Sequence, residues 1–458
     1  MKPKTTHDSD HSTLFTAPGS ESSSLLKAQE ADFSSLFEAT ASGSSASNVS
    51  STENGMPMLK KPVSISVFLL AASLLLAGCG SVQSSGTTAA PETAAIESEA
   101  DTEAESKTEA PTEPETETEA ETVEETEAPD IPPEEGLVRS PITNEWIPEE
   151  RANKRPIAVM YPTDKKAQPQ YGLDRVEVFY EIMEEGDMSR QMGILSDWED
   201  LERIGNIRST REYYVYEALE WDAILVHFGG PEVLVKPILT RSDVDNINGV
   251  DGGMGPSYGA FYRVPANSNS MHRAYTDGPH ILAAIEKAGF ARDYRPEYYD
   301  PDRWHFARES DPVDLSTRPD ALPAKRLDMK GCYPITGSVL EYNEEDGLYY
   351  RSIYGSPQCD AVTGEQMAFT NILIKSETYG QRGAGYLYYH SLDGGHEAWY
   401  LTRGHIIHGT WAKDNEYHTT RFYDDNGEEI TLNTGRTMVF IARTGTDSFV
   451  VDDRKVEL

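Results

Sequence analysis

Cysteine is scarce in this chain of 458 residues, with only Cys79, Cys332 and Cys359, so very few thiol pairings are open to it. Basic side chains are also few. Forty Lys and Arg face 77 Asp and Glu for a net charge of −37, which excludes duplex DNA or RNA as the main partner, because phosphate neutralisation needs dense Lys and Arg. Long apolar runs are nearly absent as well: one segment alone is apolar for long enough to be weighed as a span, which excludes a polytopic membrane protein. No G-x-S-x-G elbow, P-loop or G-x-G-x-x-G occurs. His272, His280 and His305 lack zinc-type spacing, and His405 and His408, three apart on an expected strand, face opposite sides. The sequence therefore implies no cofactor and no metal.

What is present is unevenly spread. Residues 80–135 hold 16 Glu and 2 Asp against Lys107 alone, a charge of −17; residues 1–79 carry −2 and residues 136–458 carry −18. The single apolar segment, Val63–Gly78, follows Lys60 and Lys61 and ends in Leu76-Ala77-Gly78-Cys79. As a helix it reaches ~24 Å, short of the ~30 Å hydrocarbon core, and its basic flank and small terminal residues read as a signal peptide. Leu-Ala-Gly-Cys resembles the lipobox of bacterial lipoproteins, which implies lipidation at Cys79, with the bilayer as a partner; an uncleaved signal anchor is the competing reading. Residues 1–55 are Ser-rich and aperiodic, either a disordered tail or the product of a start placed too early, with Met56 or Met58 as the true beginning. The Thr/Glu/Pro/Ala repeats of 80–135 have too few large apolar groups to offset the entropy of ordering and read as a tether, spanning roughly 40 Å root-mean-square before charge repulsion extends it.

From Gly136 the composition becomes globular. Ile157–Tyr161, Arg175–Ile182, Gln191–Trp198 and Ala223–Phe228 read as strands. Ser209–Glu220 reads as a helix opened by a capping box, Ser209 with Glu212. A second helix runs from about Pro279 to Ala288, with Asp277 at its start and Gly289 as its stop. Residues 136–290 are thus expected to form an α/β domain with a mixed sheet, and the Arg/Asp/Pro-rich stretch 291–330 a connection. Residues 331–445 carry repeated strand patterns at turn-separated spacing and predict a β-rich C-terminal domain, with Asp424-Asp425-Asn426-Gly427 as a hairpin turn. The fold class is α+β.

Arg155-Pro-Ile-Ala-Val-Met160, Ala167-Gln-Pro-Gln-Tyr-Gly-Leu173, Val178-Phe-Tyr-Glu181 and Ile204-Gly-Asn-Ile-Arg-Ser-Thr-Arg211 together resemble the YerB-like family of bacterial lipoproteins. In the C-terminal half Asn371-Ile372, Gly409-Thr-Trp411, Phe422-Tyr-Asp-Asp-Asn-Gly427 and Leu432-Asn-Thr-Gly-Arg-Thr437 agree, so the likeness covers about residues 140–443. The resemblance implies a two-part domain of unknown function on a membrane-tethered protein outside the cytoplasm, and brings no reaction. The chain departs from the family at Gln168, where Arg is usual, and at Met271-His272-Arg273, where Pro-His-Asn is usual.

Within this frame, Arg208, Ser209 and Arg211 mark a candidate ligand site. Arginine at a helix start opposes the macrodipole, so two of them there should face an acidic partner: a ligand phosphate or carboxylate, or an internal carboxylate such as Glu181. His227 sits near the end of an apolar strand, where ligands gather in open α/β sheets, though a satisfied edge histidine reads the same way. The loop Asp243–Asp251 fails the EF-hand template, since Ile247 stands at position 5 and no Glu closes it. Cys332 and Cys359 are a possible disulfide in an exported protein, free buried cysteines being the alternative. Two functional readings follow: a surface lipoprotein that binds an anionic envelope ligand or docks an envelope protein, and a hydrolase of an envelope polymer using Glu181, His227, Asp251 or His272 as acid–base groups.

Overall fold

The computed structural model describes residues 130–250, 253–265, 272–383 and 385–458. The expected Ser-rich start, the signal peptide with Cys79, nearly all of the acidic tether, and Asp251 lie outside the described residues. No helix among the described residues is long and apolar enough to cross a membrane.

The chain adopts the expected α+β class. β1 (Ile157–Pro162), β2 (Val178–Met183) and β3 (Ser189–Leu195) are buried along their whole length, which places them at the centre of a sheet covered on both faces. Gly193 in β3 has no room for a side chain: a Cβ there would stand 2.7 Å from Val176 Cγ2. α1 (Glu212–Leu219), β4 (Ile224–His227), α2 (Glu232–Leu239), β5 (Asn246–Asn248) and α3 (Gly278–Ala288) follow. The main sheet then gathers β6 (Leu322–Pro323), β7 (Asn371–Glu377), β8 (His396–Thr402), β9 (His405–Ala412), β10 (Arg421–Asp424) and β11 (Thr437–Arg443). Its order is β6-β9-β8-β7-β11-β2-β3-β1-β4-β5, with β10 beside β9.

The two halves share this one sheet. β11 runs parallel to β2, from Thr437 opposite Val178 to Ile441 opposite Ile182, and parallel to β7 on its other side. A second, seven-stranded sheet includes Arg326–Asp328, Val339–Asn343, Leu348–Ile353 and the closing hairpin Ser448–Val451 with Arg454–Glu457. The 291–330 stretch therefore supplies strands to both sheets.

Buried ion pairs cross between the halves. Glu181 on β2 binds Arg351 at 2.5 Å, both side chains fully buried, and accepts hydrogen bonds from Ser189, Thr336 and Ser338. Lys375 on β7 stands 3.0 Å from Glu217 of α1 and 3.0 Å from Glu377, and Lys413 lies 3.0 Å from Glu220.

α3 has the expected ends: the Asp277 carboxylate accepts the His280 N–H at 2.9 Å, and Gly289 closes the helix at φ 73°. α1 does not. Its first flanking residue is Arg211 and no side chain caps it. Ser209 Oγ instead donates to the Phe228 carbonyl, and Thr210 N–H donates to the Gly229 carbonyl at 3.0 Å. These contacts hold Ser209 and Thr210 extended beside β4, so the capping box does not form.

Candidate functional site

Two loops meet beyond the C-terminal ends of the parallel strands β1 and β4. Residues 163–170 leave β1, and residues 204–211 lead into α1. Asn206 Nδ2 donates to the Ala167 carbonyl at 3.0 Å, joining them. Arg208 N–H donates to the Met160 carbonyl, and Phe228 N–H to the Arg208 carbonyl, both at 2.9 Å, so the Arg208 backbone bridges the two strand ends. Around it stand Arg190 from β3, which donates to the Ser209 carbonyl at 2.7 Å and pairs with Glu184 at 3.0 Å, and Arg211, which pairs with Glu184 and Glu185. His272 is buried with its Nε2 3.7 Å from Asp164.

Three guanidinium groups and the exposed Lys166 thus gather with Glu184, Glu185 and Asp164, a positive excess on a strongly acidic protein. Burial opposes the charge of Arg211, but Glu184 and Glu185 outweigh it and raise its pKa. Arg208 is held below its ordinary value by burial and then by Arg190, against Asp164 and Glu184. Burial lowers the pKa of His272 too; Arg208, Arg190 and Lys166 add to the effect and Asp164 opposes it. The imidazole is accordingly neutral at pH 7. Seven buried side-chain polar atoms here have no hydrogen-bond partner among the described residues: Gln168 Nε2 and Oε1, Gln170 Oε1, Glu184 Oε1, Arg190 Nε, Asn206 Oδ1 and His272 Nδ1. Such atoms are uncommon in protein interiors, and their concentration sets this corner of the molecule apart.

Comparison with known proteins bears on the same loops. Residues 142–291 match the N-terminal domain, and residues 333–439 the C-terminal domain, of a protein family of unknown function, DUF3048. The chain is also 27% identical over 290 residues to the "Putative lipoprotein YerB" of Bacillus subtilis (strain 168), covering 61% of this chain and 79% of that protein. The chain belongs to the YerB-like two-part family. The crystal structure of the YerB protein from Bacillus subtilis has the same fold, with a TM-score of 0.55 at 24% identity over 67% of this chain and 96% of the other. The YerB-like N-terminal segment carries both loops of the arginine cluster, while its C-terminal segment reaches the first three residues of β11, Thr437–Val439, which pair with β2.

Of the described residues singled out in the sequence of this YerB-like chain, Arg208, Arg211 and His272 come together, with the Ser209 carbonyl bound by Arg190 between them, while Glu181 and His227 stand apart. Arg211 spends its donors on Glu184, Glu185 and the Thr210 carbonyl, and Ser209 Oγ on Phe228. The expected pairing of either arginine with Glu181 is not found, because Arg351 occupies that carboxylate. His227 is fully buried, its Nδ1 2.9 Å from the Gly229 carbonyl and its Nε2 3.1 Å from Asn246 Oδ1, and burial depresses its pKa. Glu181 and His227 therefore sit in separate closed networks and form no acid–base pair with His272. Asp243 and Asp245 of the loop considered for calcium are engaged by Arg241 and by Arg155 and Arg295.

The possible disulfide is absent. Cys332 is buried with its thiol 3.4 Å from the Ser448 carbonyl, whereas half-buried Cys359 lines a small cavity beside Gln168. His405 and His408 go separate ways: His405 Nδ1 is 3.2 Å from the Arg403 carbonyl, and His408 sits between Glu397 and Asp425, 2.6 Å from each. Sequence reasoning missed Arg190, Glu184, Glu185, Asp164 and Asn206. Only tertiary pairing brings them to Arg208, although the ordered family motif Ile204–Arg211 already contained Asn206.

A cavity of about 730 Å³ lies elsewhere, with Arg308, Arg403 and Arg436 opposite Glu145, Glu309, Asp346 and Glu365. Its charges of both signs nearly balance, and none of the partnerless buried atoms lines it.

Proposed function

We propose that this chain is an extracytoplasmic lipoprotein, held to the membrane through Cys79, whose folded body binds a small anionic ligand at Arg208, Arg190 and His272 without turning it over. The observation that carries the reading is the gathering of three guanidinium groups around a buried histidine on a body whose net charge is strongly negative. Glu184, Glu185 and Asp164 stand against Arg190, Arg208 and Arg211, and a small anion is the kind of further counter-charge that such a gathering of guanidinium groups attracts. Its place at the strand C-termini of a mixed sheet accords with where α/β folds gather ligands. Binding is favoured over hydrolysis because Glu181 and His227 are committed to structural networks.

Calorimetric titration with sodium sulfate tests the site. The wild-type protein should bind the anion, and Arg208→Ala, with fold verified by circular dichroism, should weaken it at least tenfold. Equal affinity in the two proteins sinks the assignment. The tether is checked by fractionation: Cys79→Ser should move the protein from the membrane to the soluble fraction.

A further inference from the structure

The cavity of about 730 Å³ takes its walls from both halves of the family fold, and its volume lies in the range that holds small-molecule ligands. One wall is the loop 433–436 that leads into β11. Asn433 Oδ1 accepts the Val313 N–H at 2.8 Å, and its Nδ2 donates to the Val313 carbonyl and to Thr402 Oγ1, both at 3.0 Å. Gly435 holds φ 130°, and a Cβ there would stand 2.2 Å from Thr370 Oγ1, so a side chain at this position would displace Thr370. The Arg436 carbonyl accepts the Thr370 and Asn371 N–H groups at 3.0 and 3.2 Å. Arg436 thus reaches the cavity from a fixed backbone. Arg403 reaches it from the two-residue turn between β8 and β9, where φ is 47° at Arg403 and 75° at Gly404. Asn-Gly is the pair that fits such a turn most readily, so arginine is held there at a cost in backbone strain that nothing local offsets.

The charged groups lining this one space differ in what already answers them. Arg308 has a partner of its own. Arg436 gives one donor to the Asp174 carbonyl and its charge acts on the Asp174 carboxyl, while the charge of Arg403 acts on Asp314 and on the Tyr342 hydroxyl. Neither forms an ion pair with a carboxylate among the described residues, and a guanidinium carries five N–H donors, so both keep a free fork for a planar oxyanion. Of the acids, Glu145 accepts from Thr143 Oγ1 at 3.0 Å, Glu309 pairs with Arg139 at 3.3 Å, and Asp346 accepts from Asn343 Nδ2 at 3.0 Å and from the Tyr350 hydroxyl at 2.7 Å. The exposed Glu365 side chain has no partner among the described residues. Two cations and one anion outside ion pairs around a single cavity match a ligand that carries both signs. A dianionic phosphate would answer the arginines but meet repulsion from all four carboxylates, whereas a singly charged carboxylate meets less and an ammonium at the far end answers Glu365.

We infer that this cavity binds a short peptide by its two free ends, with the carboxylate in the forks of Arg403 and Arg436 and the ammonium at Glu365. No bond is made or broken; the event is binding. The site is separate from the arginine cluster, because Arg190, Arg208, Arg211 and His272 do not line the cavity.

Calorimetric titration of the full protein with trialanine, N-acetyl-trialanine and trialanine amide reads the two ends separately. Trialanine should bind, and each blocked peptide should bind about tenfold more weakly. Arg403→Asn should weaken trialanine by about tenfold and leave the amide unchanged, while holding or raising Tm because Asn suits the turn. Glu365→Gln, at an exposed side chain, should weaken trialanine by about tenfold and leave N-acetyl-trialanine unchanged. Absence of trialanine binding overturns the proposal, and so does equal affinity for the free and blocked peptides. Binding that survives both substitutions at full strength puts the peptide elsewhere and overturns it as well. The Arg208→Ala protein should bind trialanine as the wild type does, so failure here and failure of the anion site are read independently.

Discussion

Replacing Lys375 with Met is the most informative perturbation of the scaffold. The ammonium group is fully buried, 3.0 and 3.2 Å from the two oxygens of Glu217 and 3.0 Å from Glu377, with the Trp411 ring centre 4.8 Å away. Methionine keeps the stem and deletes the charge, leaving Lys413 to face Glu217 and Glu220 among the described residues. Removing one partner of a buried ion pair costs about 3–5 kcal/mol. At roughly 2–4 °C per kcal/mol for a domain of this order, Tm should fall by about 6–20 °C. The loss should depend on pH. Burial already pushes the Glu217 carboxyl up to about 7, against Lys375 and Lys413. A carboxyl raised in the folded state binds more protons there than in the unfolded chain, so its contribution to stability is present at low pH and declines as pH rises toward 7. Without Lys375 that pKa rises further, and acidification should recover about 1.4 kcal/mol per pH unit for each proton taken up. Urea unfolding at pH 8 and at pH 5.5 measures this. Lys375→Met/Glu217→Gln, which removes a cation and a carboxylate together, should regain at least half of the loss at pH 8. A single mutant that loses less than about 1 kcal/mol at pH 8, or loses the same at both pH values, refutes the reasoning.

Residues 136–330 expressed alone should not fold cooperatively, because β2 loses β11 and Glu181 loses Arg351; a sharp thermal transition in that fragment contradicts the shared sheet. Sulfate affinity should rise as pH falls through 6.5, the ordinary value for His272. The free protein holds that pKa low, a bound anion raises it, and binding therefore takes up a proton; His272→Gln should flatten the profile.

Much of the scaffold was legible locally. Asp277, Pro279 and Gly289 each act through their own backbone neighbourhood, and α3 has the ends they predict. β1 announces itself as an apolar run between prolines. α2 escaped because Pro237 lies inside an eight-residue helix, and the hairpin 448–457 because its exposed positions break the apolar pattern. The capping box failed for a tertiary reason: bonds to Phe228 and Gly229 outcompete the local motif at Ser209 and Thr210. At the site, the two arginines were conspicuous because they oppose a helix dipole, yet the partner of Arg211 comes from a turn some twenty-five residues earlier. Nothing local tells Glu184 from Glu181, one residue type three positions apart, although one faces the arginine cluster and the other is sealed against Arg351.

The strand at the middle of the sheet is made long after the neighbour it pairs with. A polypeptide made from its earlier residues onward presents β2 long before 437–443 emerges, and during that interval the flank of β2 stands open to any extended segment that reaches it. Closure across more than 250 positions is slow, and a stalled or shortened product has no means of sealing the gap. Quality control thus has one simple feature to sense, the bare rim of Val178–Met183, which vanishes only once 437–443 is in place.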